Sequence, residues 1–234
     1  MRRAAGARQH PSTHFYIMQI QYGKSLCLLL VLGTWLGLRP APSRAQSSPP
    51  PARHATVFDL TGAAGPTLNY ASVAAWRLWG LDAGGRFQVG GGVRASYFFA
   101  DGYDLDRQTG PGSPTLNVLA PRLYSLNAAF HLRARVAGPV RLGFNLDATG
   151  LSFGPGRGTL AALERVRPTT GNLLRGGSSD RGSLNSEFYL AAALPRGLGV
   201  RAGWSHIVTG YESDASTYHR FRNLALLGVS YQLP

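Results

Sequence analysis

The sequence predicts an all-β protein, an eight-stranded antiparallel up-and-down barrel that spans a membrane. Three observations predict this fold: apolar and polar residues alternate over long runs, the connections alternate between short and long, and an export signal precedes the runs. The alternation is clearest over residues 122–153, which are predicted to form two strands joined by Gly138 and Pro139. Because successive side chains on a strand point to opposite faces, each of these strands has one apolar face and one polar face. In a transmembrane barrel the apolar face contacts lipid and the polar face lines the interior.

Residues 1–45 are predicted to be an export signal and not part of the fold. Lys24 precedes an apolar run over 26–38, and small residues lie before the predicted cleavage after Ala45. This order is the pattern of a secretory signal peptide, and the apolar run is too short for a permanent transmembrane helix. Translation from Met18 would give a signal of ordinary length, a hypothesis that sequencing the N-terminus of the unprocessed precursor tests.

The mature chain is predicted to consist of a flexible periplasmic leader, residues 46–54, and an outer-membrane barrel, residues 55–234. The leader is rich in Ser and Pro. The single cysteine, Cys27, lies inside the signal, so the mature chain has no disulfide and no thiolate nucleophile. The formal net charge is +13, but the arginines are spread along the chain and form no basic run or basic helix. Nucleic acid is therefore not an expected partner.

Three strands are predicted before the first long connection, at 55–61, 69–81 and 86–99. The first is short, and the third follows a tight turn at 82–85 and alternates regularly. In the second strand Trp79 breaks the alternation. We expect this strand to direct Tyr70, Ala74, Trp76 and Leu78 outward and Arg77 inward.

Five further strands are predicted after a connection at 100–121 that is rich in Asp, Gly and Pro. They lie at 122–136, 140–153, 184–194, 198–211 and 220–233. The longest connection, 154–183, has room for one or two helical turns over 159–166. Longer and short connections therefore alternate along the chain, as in outer-membrane barrels, whose short turns are periplasmic. Aromatic residues near strand ends resemble interface girdles, although the last strand ends on Pro234 instead of an aromatic residue.

A soluble barrel fits the same alternation. A lipocalin-like carrier in the periplasm would direct the large apolar residues inward and the arginines outward. Alternation alone cannot distinguish the inside of a barrel from its outside. The asymmetry of the connections, the strand length and the final strand favour the membrane protein.

Two blocks in the second half of the chain carry a resemblance to a known family. They are residues 143–154, GFNLDATGLSFG, and residues 182–189, GSLNSEFY, the second together with 220–223 and the last strand. These blocks resemble a family of small outer-membrane β-barrel proteins of Bacteroidota. The resemblance implies the barrel fold and the outer membrane. It implies no catalytic residue, because the family has no assigned activity.

The interior of an eight-stranded barrel is just wide enough for side chains to fill, so an open channel is not expected. The charged residues predicted to face inward are Arg86, Arg94, Arg133, Arg135, Arg141, Asp147, Glu187, Arg201 and Arg222. Because buried charge is costly unless it is paired, we expect these residues to form a network of ion pairs and hydrogen bonds. Arginines outnumber acids in this set, so an anion-binding interior is the alternative.

The function predicted for this chain is non-enzymatic: a structural or surface-binding role through the exposed loops 100–121 and 154–183. Loops on a rigid scaffold commonly carry binding. The expected partners are outer-membrane lipids, lipopolysaccharide and other envelope proteins. The loop arginines expected to contact anionic sugar phosphates are Arg107, Arg157, Arg165, Arg167, Arg175 and Arg181.

An outer-membrane lipid-modifying enzyme, an acyl hydrolase or acyltransferase, is the alternative from another class. A hydrolase would need a serine, a histidine and an acid within hydrogen-bond reach. The nearest grouping is Ser205, His206 and Glu212, but adjacent residues on a strand point to opposite faces. No cofactor or metal is expected, because the histidines lack ligand spacing and the glycine runs lack the Lys-Ser/Thr ending of a phosphate loop.

Overall fold

Eight long strands close into a ring in the computed structural model. The structure describes residues 54–107, 115–158, 165–176, 179–213 and 216–233. Its strands are β1 His54–Ala64, β2 Asn69–Gly80, β3 Phe87–Phe99, β4 Gly102–Arg107, β5 Thr115–Leu119, β6 Arg122–Ala137, β7 Val140–Phe153, β8 Arg157–Gly158, β9 Arg165–Pro168, β10 Gly171–Leu173, β11 Leu184–Ala193, β12 Leu198–Glu212 and β13 Thr217–Gln232. The predicted export signal and leader lie outside the described residues, apart from His54, which begins β1.

The ring is antiparallel throughout. Its strands follow one another in the order β1, β2, β3, β6, β7, β11, β12 and β13, and β13 pairs with both β12 and β1. The register of the closing pair places Phe58 opposite Tyr231 and Leu60 opposite Val229. The eight-stranded antiparallel barrel predicted from the sequence is therefore confirmed.

Large apolar side chains cover the outside of the barrel, and polar side chains fill its inside. On β6, Leu126 and Phe130 are exposed, and 61% of the Phe130 side chain is accessible. The next residue along the strand from each of them, Asn127 and His131, is fully buried. Leu227 on β13 is 66% exposed. This arrangement is the one found in membrane barrels and the inverse of a soluble barrel. In the described part of the chain, no helix is long and apolar enough to cross a membrane.

The orientation predicted for the second strand is wrong. In β2 the buried residues are Tyr70, Ser72, Ala74, Trp76 and Leu78, while Arg77 is exposed and donates a 2.8 Å hydrogen bond to Thr56. The reason lies on β3, where glycines leave room inside the wall for these large side chains. A Cβ added to Gly92 would lie 2.6 Å from the ring of Trp76, and one added to Gly90 would lie 2.7 Å from Leu78.

The two long connections are not simple loops, because both add strands to the barrel wall. β4 and β5 form a hairpin, and β4 pairs with β13 beyond the end of β1. β9 pairs with β12, and β10 with β7, beyond the end of β11. Unpaired backbone groups need partners, and these short strands supply them where a long strand outlasts its neighbour. The prediction of helical turns over 159–166 is wrong at Arg165 and Val166, because both residues lie in β9. Residues 159–164 lie outside the described part of the chain.

Short turns close the opposite end of the barrel. In the turn after β2, Asp82 accepts a 2.8 Å hydrogen bond from the backbone N–H of Phe87, which lowers the pKa of this exposed carboxyl. A 3-10 turn, Pro195–Gly197, joins β11 to β12, and both Arg196 and Gly197 have positive φ there. A Cβ at Gly197 would lie 2.4 Å from the carbonyl oxygen of Gln232, so glycine is required on steric grounds as well.

The interior has three layers along the barrel axis. At the long-loop end the packing is apolar, and its members include Leu68, Leu105, Val118, Leu123, Val166 and Tyr211. Charged and amide side chains fill the middle. At the short-turn end there is a cavity of about 140 Å³. The apolar layer contains residues of β4, β5 and β9, so the long connections also cover the end of the barrel.

Candidate functional site

Glu187 on β11 is the centre of the polar middle layer. Its carboxylate accepts hydrogen bonds from Asn145 at 2.9 Å and from Asn185 at 3.0 Å. The same carboxylate lies 3.7 Å from a guanidinium nitrogen of Arg94 and 3.4 Å from one of Arg201. Because Glu187 has no exposed surface, these contacts replace water around a fully buried charge.

Arg94 joins Glu187 to a second carboxylate, that of Asp147. The Arg94–Asp147 distance is 3.3 Å, and Arg94 also donates to Asn145 and lies over the ring of Trp76. Asp147 accepts a 2.8 Å hydrogen bond from Asn127. Arg94 is on β3 and Asp147 on β7, which lie on either side of β6, so this ion pair bridges two strands that do not pair with each other.

Arg201 joins Glu187 to a third carboxylate, Asp59 on β1. The Arg201–Asp59 distance is 3.0 Å, and Asp59 also accepts a 2.7 Å hydrogen bond from the indole N–H of Trp76. Arg201 donates to Thr61 and lies 4.7 Å from the ring centroid of Tyr189. Asp59 is absent from the predicted interior set. The signal that could have found it is the spacing of two residues from Val57 and from Thr61, because residues two apart on a strand share a face and these three share the inward face of β1.

A chain of amides connects the network to the long connection between β7 and β11. Asn172 on β10 donates to Asn127 at 2.7 Å and accepts from the hydroxyl of Ser152 and the N–H of Ser183, both at 2.8 Å. Asn172 is buried. This connection is thus attached to the interior, which the sequence pattern did not indicate.

The structure separates the residues predicted to face inward into three groups. Arg94, Arg133, Asp147, Glu187 and Arg201 are buried. Arg141 and Arg222 are half-buried, Arg222 at the long-loop end where it donates to Thr67 at 3.0 Å. The inward placement predicted for Arg86 and Arg135 is wrong: both are exposed, because Arg86 precedes β3 and Arg135 lies in the irregular end of β6. Within the part of the chain that the structure describes, the barrel strands therefore bury three arginines and three carboxylates. The ion pairs with these carboxylates are made by Arg94 and Arg201.

The arginines predicted to lie on the long loops are mostly exposed. Arg165, Arg167, Arg175 and Arg181 are exposed and Arg157 is half-buried. Arg167 forms a 3.3 Å ion pair with Glu212. Arg107 is the last residue of β4, and its side chain lies outside what the structure describes. We call the four exposed arginines the rim arginines.

The structure does not bring together the serine, histidine and acid considered for an acyl hydrolase. Ser205 is buried in the interior, where it donates to Asn185. His206 points outward, 2.8 Å from the side-chain oxygen of Asn223. Glu212 is paired with Arg167 at the long-loop end. Among the described residues, no group of three or more His, Cys, Asp or Glu could hold a metal ion.

Comparison with known proteins gives fold likenesses only. No protein-family model matches the chain, and no curated protein is similar to it in sequence. Thirteen chains of solved structures are similar. The outer-membrane protein Ail of Yersinia pestis is 11% identical, with 76% of this chain and 99% of Ail covered and a TM-score of 0.37. Neisserial surface protein A is 11% identical, with coverages of 78% and 98% and a TM-score of 0.40.

A third similar structure is a major outer-membrane protein of Thermus thermophilus. It is 12% identical, with 78% of this chain and all of that chain covered, and the TM-score is 0.39. Identity and structural overlap are low in all three cases. The closed eight-stranded barrel described above is established by the strand pairing, independently of these likenesses.

Proposed function

We propose that this chain is a non-enzymatic barrel of the bacterial outer membrane that binds anionic surface sugars through its long-loop end. In this proposal residues 1–45 are a cleaved export signal, 46–54 a periplasmic leader and 55–234 the barrel. The short turns face the periplasm and the long connections face outward. The resemblance of 143–154 and 182–189 to barrel proteins of Bacteroidota supports the same placement and adds no activity.

The exposed apolar surface is the observation that carries the membrane part of the proposal. Phe130, Leu227 and Leu60 are each more than half exposed, and such side chains recur on all eight strands of the ring. Soluble monomers rarely expose contiguous apolar surface of this extent. The interior meanwhile holds Arg94 and Glu187, both buried. A soluble carrier of an apolar ligand would need the reverse.

The rim arginines support the binding part. Arg165, Arg175 and Arg181 are exposed on the connection between β7 and β11, which is fixed to the barrel through β9, β10 and the buried Asn172. Guanidinium groups on a rigid scaffold suit phosphates, which they bind with two parallel hydrogen bonds. In the outer membrane, the phosphorylated sugars of lipopolysaccharide are a ligand that such arginines can bind.

Membrane insertion is tested first by gel migration of the mature chain refolded in detergent. A compact, fast-migrating unboiled band that shifts on boiling is the expected result. A chain that stays soluble without detergent and shows no shift would refute the membrane placement.

Sugar binding is tested with the variant Arg165→Gln/Arg181→Gln and a matched control, Arg86→Gln/Arg196→Gln, which removes two exposed arginines from the short-turn end. Binding of fluorescent lipopolysaccharide to the refolded protein is measured at low salt. We expect the rim variant to bind several-fold more weakly, since exposed charge contacts contribute up to about 1 kcal/mol each. Equal weakening by the control, or equal binding of dephosphorylated lipopolysaccharide by the wild type, would refute this role.

A further inference from the structure

The cavity at the short-turn end is the part of the interior that its side chains do not fill. It measures about 140 Å³, several times the roughly 30 Å³ that one water molecule occupies in the liquid. Its polar lining includes Asp59, His131, Arg133, Arg141, Tyr189 and Arg201. The apolar layer covers the other end of the barrel, so this space is reached from the short turns.

The lining carries an excess of positive charge. Asp59, its one carboxylate, already accepts hydrogen bonds from Trp76 and Arg201. Arg133 is buried, yet its guanidinium donates only to amide oxygens, to Gln88 at 2.6 and 2.8 Å and to Gln232 at 3.1 Å. Among the described residues no carboxylate lies within ion-pair distance of Arg133. An arginine this deeply buried is normally held by an anion.

Two further arginines crowd the same end. Arg141 on β7 lies directly opposite Arg135 on β6. Like charges directly opposite each other on neighbouring strands are destabilising. In the described part of the chain neither forms an ion pair with a carboxylate. A bound anion would relieve this repulsion.

Two buried nitrogen atoms at the cavity, one of His131 and one of Arg201, have no hydrogen-bond partner among the described residues. His131 is 1% exposed and lines the cavity. Its Nε2 lies 2.7 Å from the hydroxyl of Tyr189, but its Nδ1 has no hydrogen-bond partner among the described residues, and neither has the Nε of Arg201. Buried polar atoms are seldom left without a partner. Both atoms belong to residues that line the cavity.

We propose that the short-turn end of the barrel is a binding site for a small oxyanion of the phosphate type, held by Arg133 and Arg141 with His131 beside them. The site is separate from the rim arginines and does not depend on the function proposed for them. In the membrane orientation given above it faces the periplasm. The phosphate can come from free inorganic phosphate or from the headgroup of an anionic phospholipid, and the experiment distinguishes these sources.

The experiment uses the refolded mature chain in neutral detergent and titrates it by calorimetry at constant ionic strength. One arm uses inorganic phosphate and the other short-chain phosphatidylglycerol. The test variant is Arg141→Gln, at a half-buried position where loss of folding is not expected. The control is Arg196→Gln, which removes an exposed arginine from the same end outside the cavity lining.

We expect the wild type and Arg196→Gln to bind alike and Arg141→Gln to bind at least tenfold more weakly. Binding of inorganic phosphate identifies the free anion, and binding of the lipid alone identifies the headgroup. We also expect unliganded Arg141→Gln to melt no lower than the wild type, because the repulsion with Arg135 is removed. The proposal is overturned if neither probe binds, if Arg141→Gln binds as well as the wild type, or if Arg196→Gln weakens binding equally.

Discussion

Replacing Glu187 by Gln tests whether the interior network stabilises the barrel. The substitution keeps the size of the side chain and removes the charge that Arg94 and Arg201 share, at 3.7 and 3.4 Å. It also replaces one acceptor oxygen by an NH₂ group, which accepts no hydrogen bond, so either Asn145 or Asn185 loses its acceptor. The buried arginines would then face only Asp59 and Asp147.

The magnitude follows from the remaining contacts. Removing one partner of a buried ion pair costs about 3–5 kcal/mol. Arg94 keeps Asp147 at 3.3 Å and Arg201 keeps Asp59 at 3.0 Å, so we expect the lower end, about 3 kcal/mol of unfolding free energy. With a urea slope of about 2 kcal/mol per M, the unfolding midpoint would fall by roughly 1.5 M.

The assay is urea unfolding of the refolded chain in phospholipid vesicles, followed by tryptophan fluorescence. The matched control is Glu212→Gln, which breaks the Arg167–Glu212 pair at 3.3 Å, where the arginine is 70% exposed. Exposed pairs contribute less than about 1 kcal/mol, so its midpoint should hardly move. If the two variants lose the same stability, or Glu187→Gln loses none, the interior network does not stabilise the barrel as described.

Two further predictions concern the lipid-facing surface and the long connection. Phe130 is 61% exposed near the middle of β6, and Phe130→Arg should lower the unfolding free energy in vesicles by about 2–4 kcal/mol. Phe153→Arg, at the end of β7, should lower it clearly less. Equal losses in the same unfolding assay would argue against a membrane-embedded surface. Ala in place of Asn172 leaves three buried polar groups without their partner and should cost about 2–3 kcal/mol. The control Asn223→Ala, at an exposed position, should change the unfolding free energy by no more than about 0.5 kcal/mol. A similar loss in both variants would show that the hydrogen bonds of Asn172 do not stabilise the barrel.

Much of the fold follows from patterns that depend only on neighbouring residues. The alternation over 122–153 and the short turns at 82–85 and 195–197 are local features, and the strand number and antiparallel order follow from them. The same patterns identified Arg94, Asp147, Glu187 and Arg201 as residues of one face. They did not identify Asp59, because Val57 and Phe58 on its strand are adjacent and both apolar, so alternation alone does not show which face of β1 is inward.

Other features depend on which strands pair and in which register. The orientation of β2 is decided by Gly90 and Gly92 on the neighbouring strand, which leave room for Leu78 and Trp76. The long connections become wall strands because β12 and β13 outlast their neighbours. None of these relations is visible within one segment of sequence.

The sequence by itself therefore determined that eight two-faced strands alternate with short and long connections, since side-chain alternation and turn residues are properties of the local backbone. Only the tertiary structure decided which face is inside, that Arg86 and Arg135 remain exposed, and that three carboxylates meet Arg94 and Arg201. The physical reason is that a two-faced strand is equally regular with either face inward. The choice is fixed by closure of the ring, by the packing of Trp76 against a glycine of the neighbouring strand, and by the ion pairs of Arg94 and Arg201 with carboxylates of other strands.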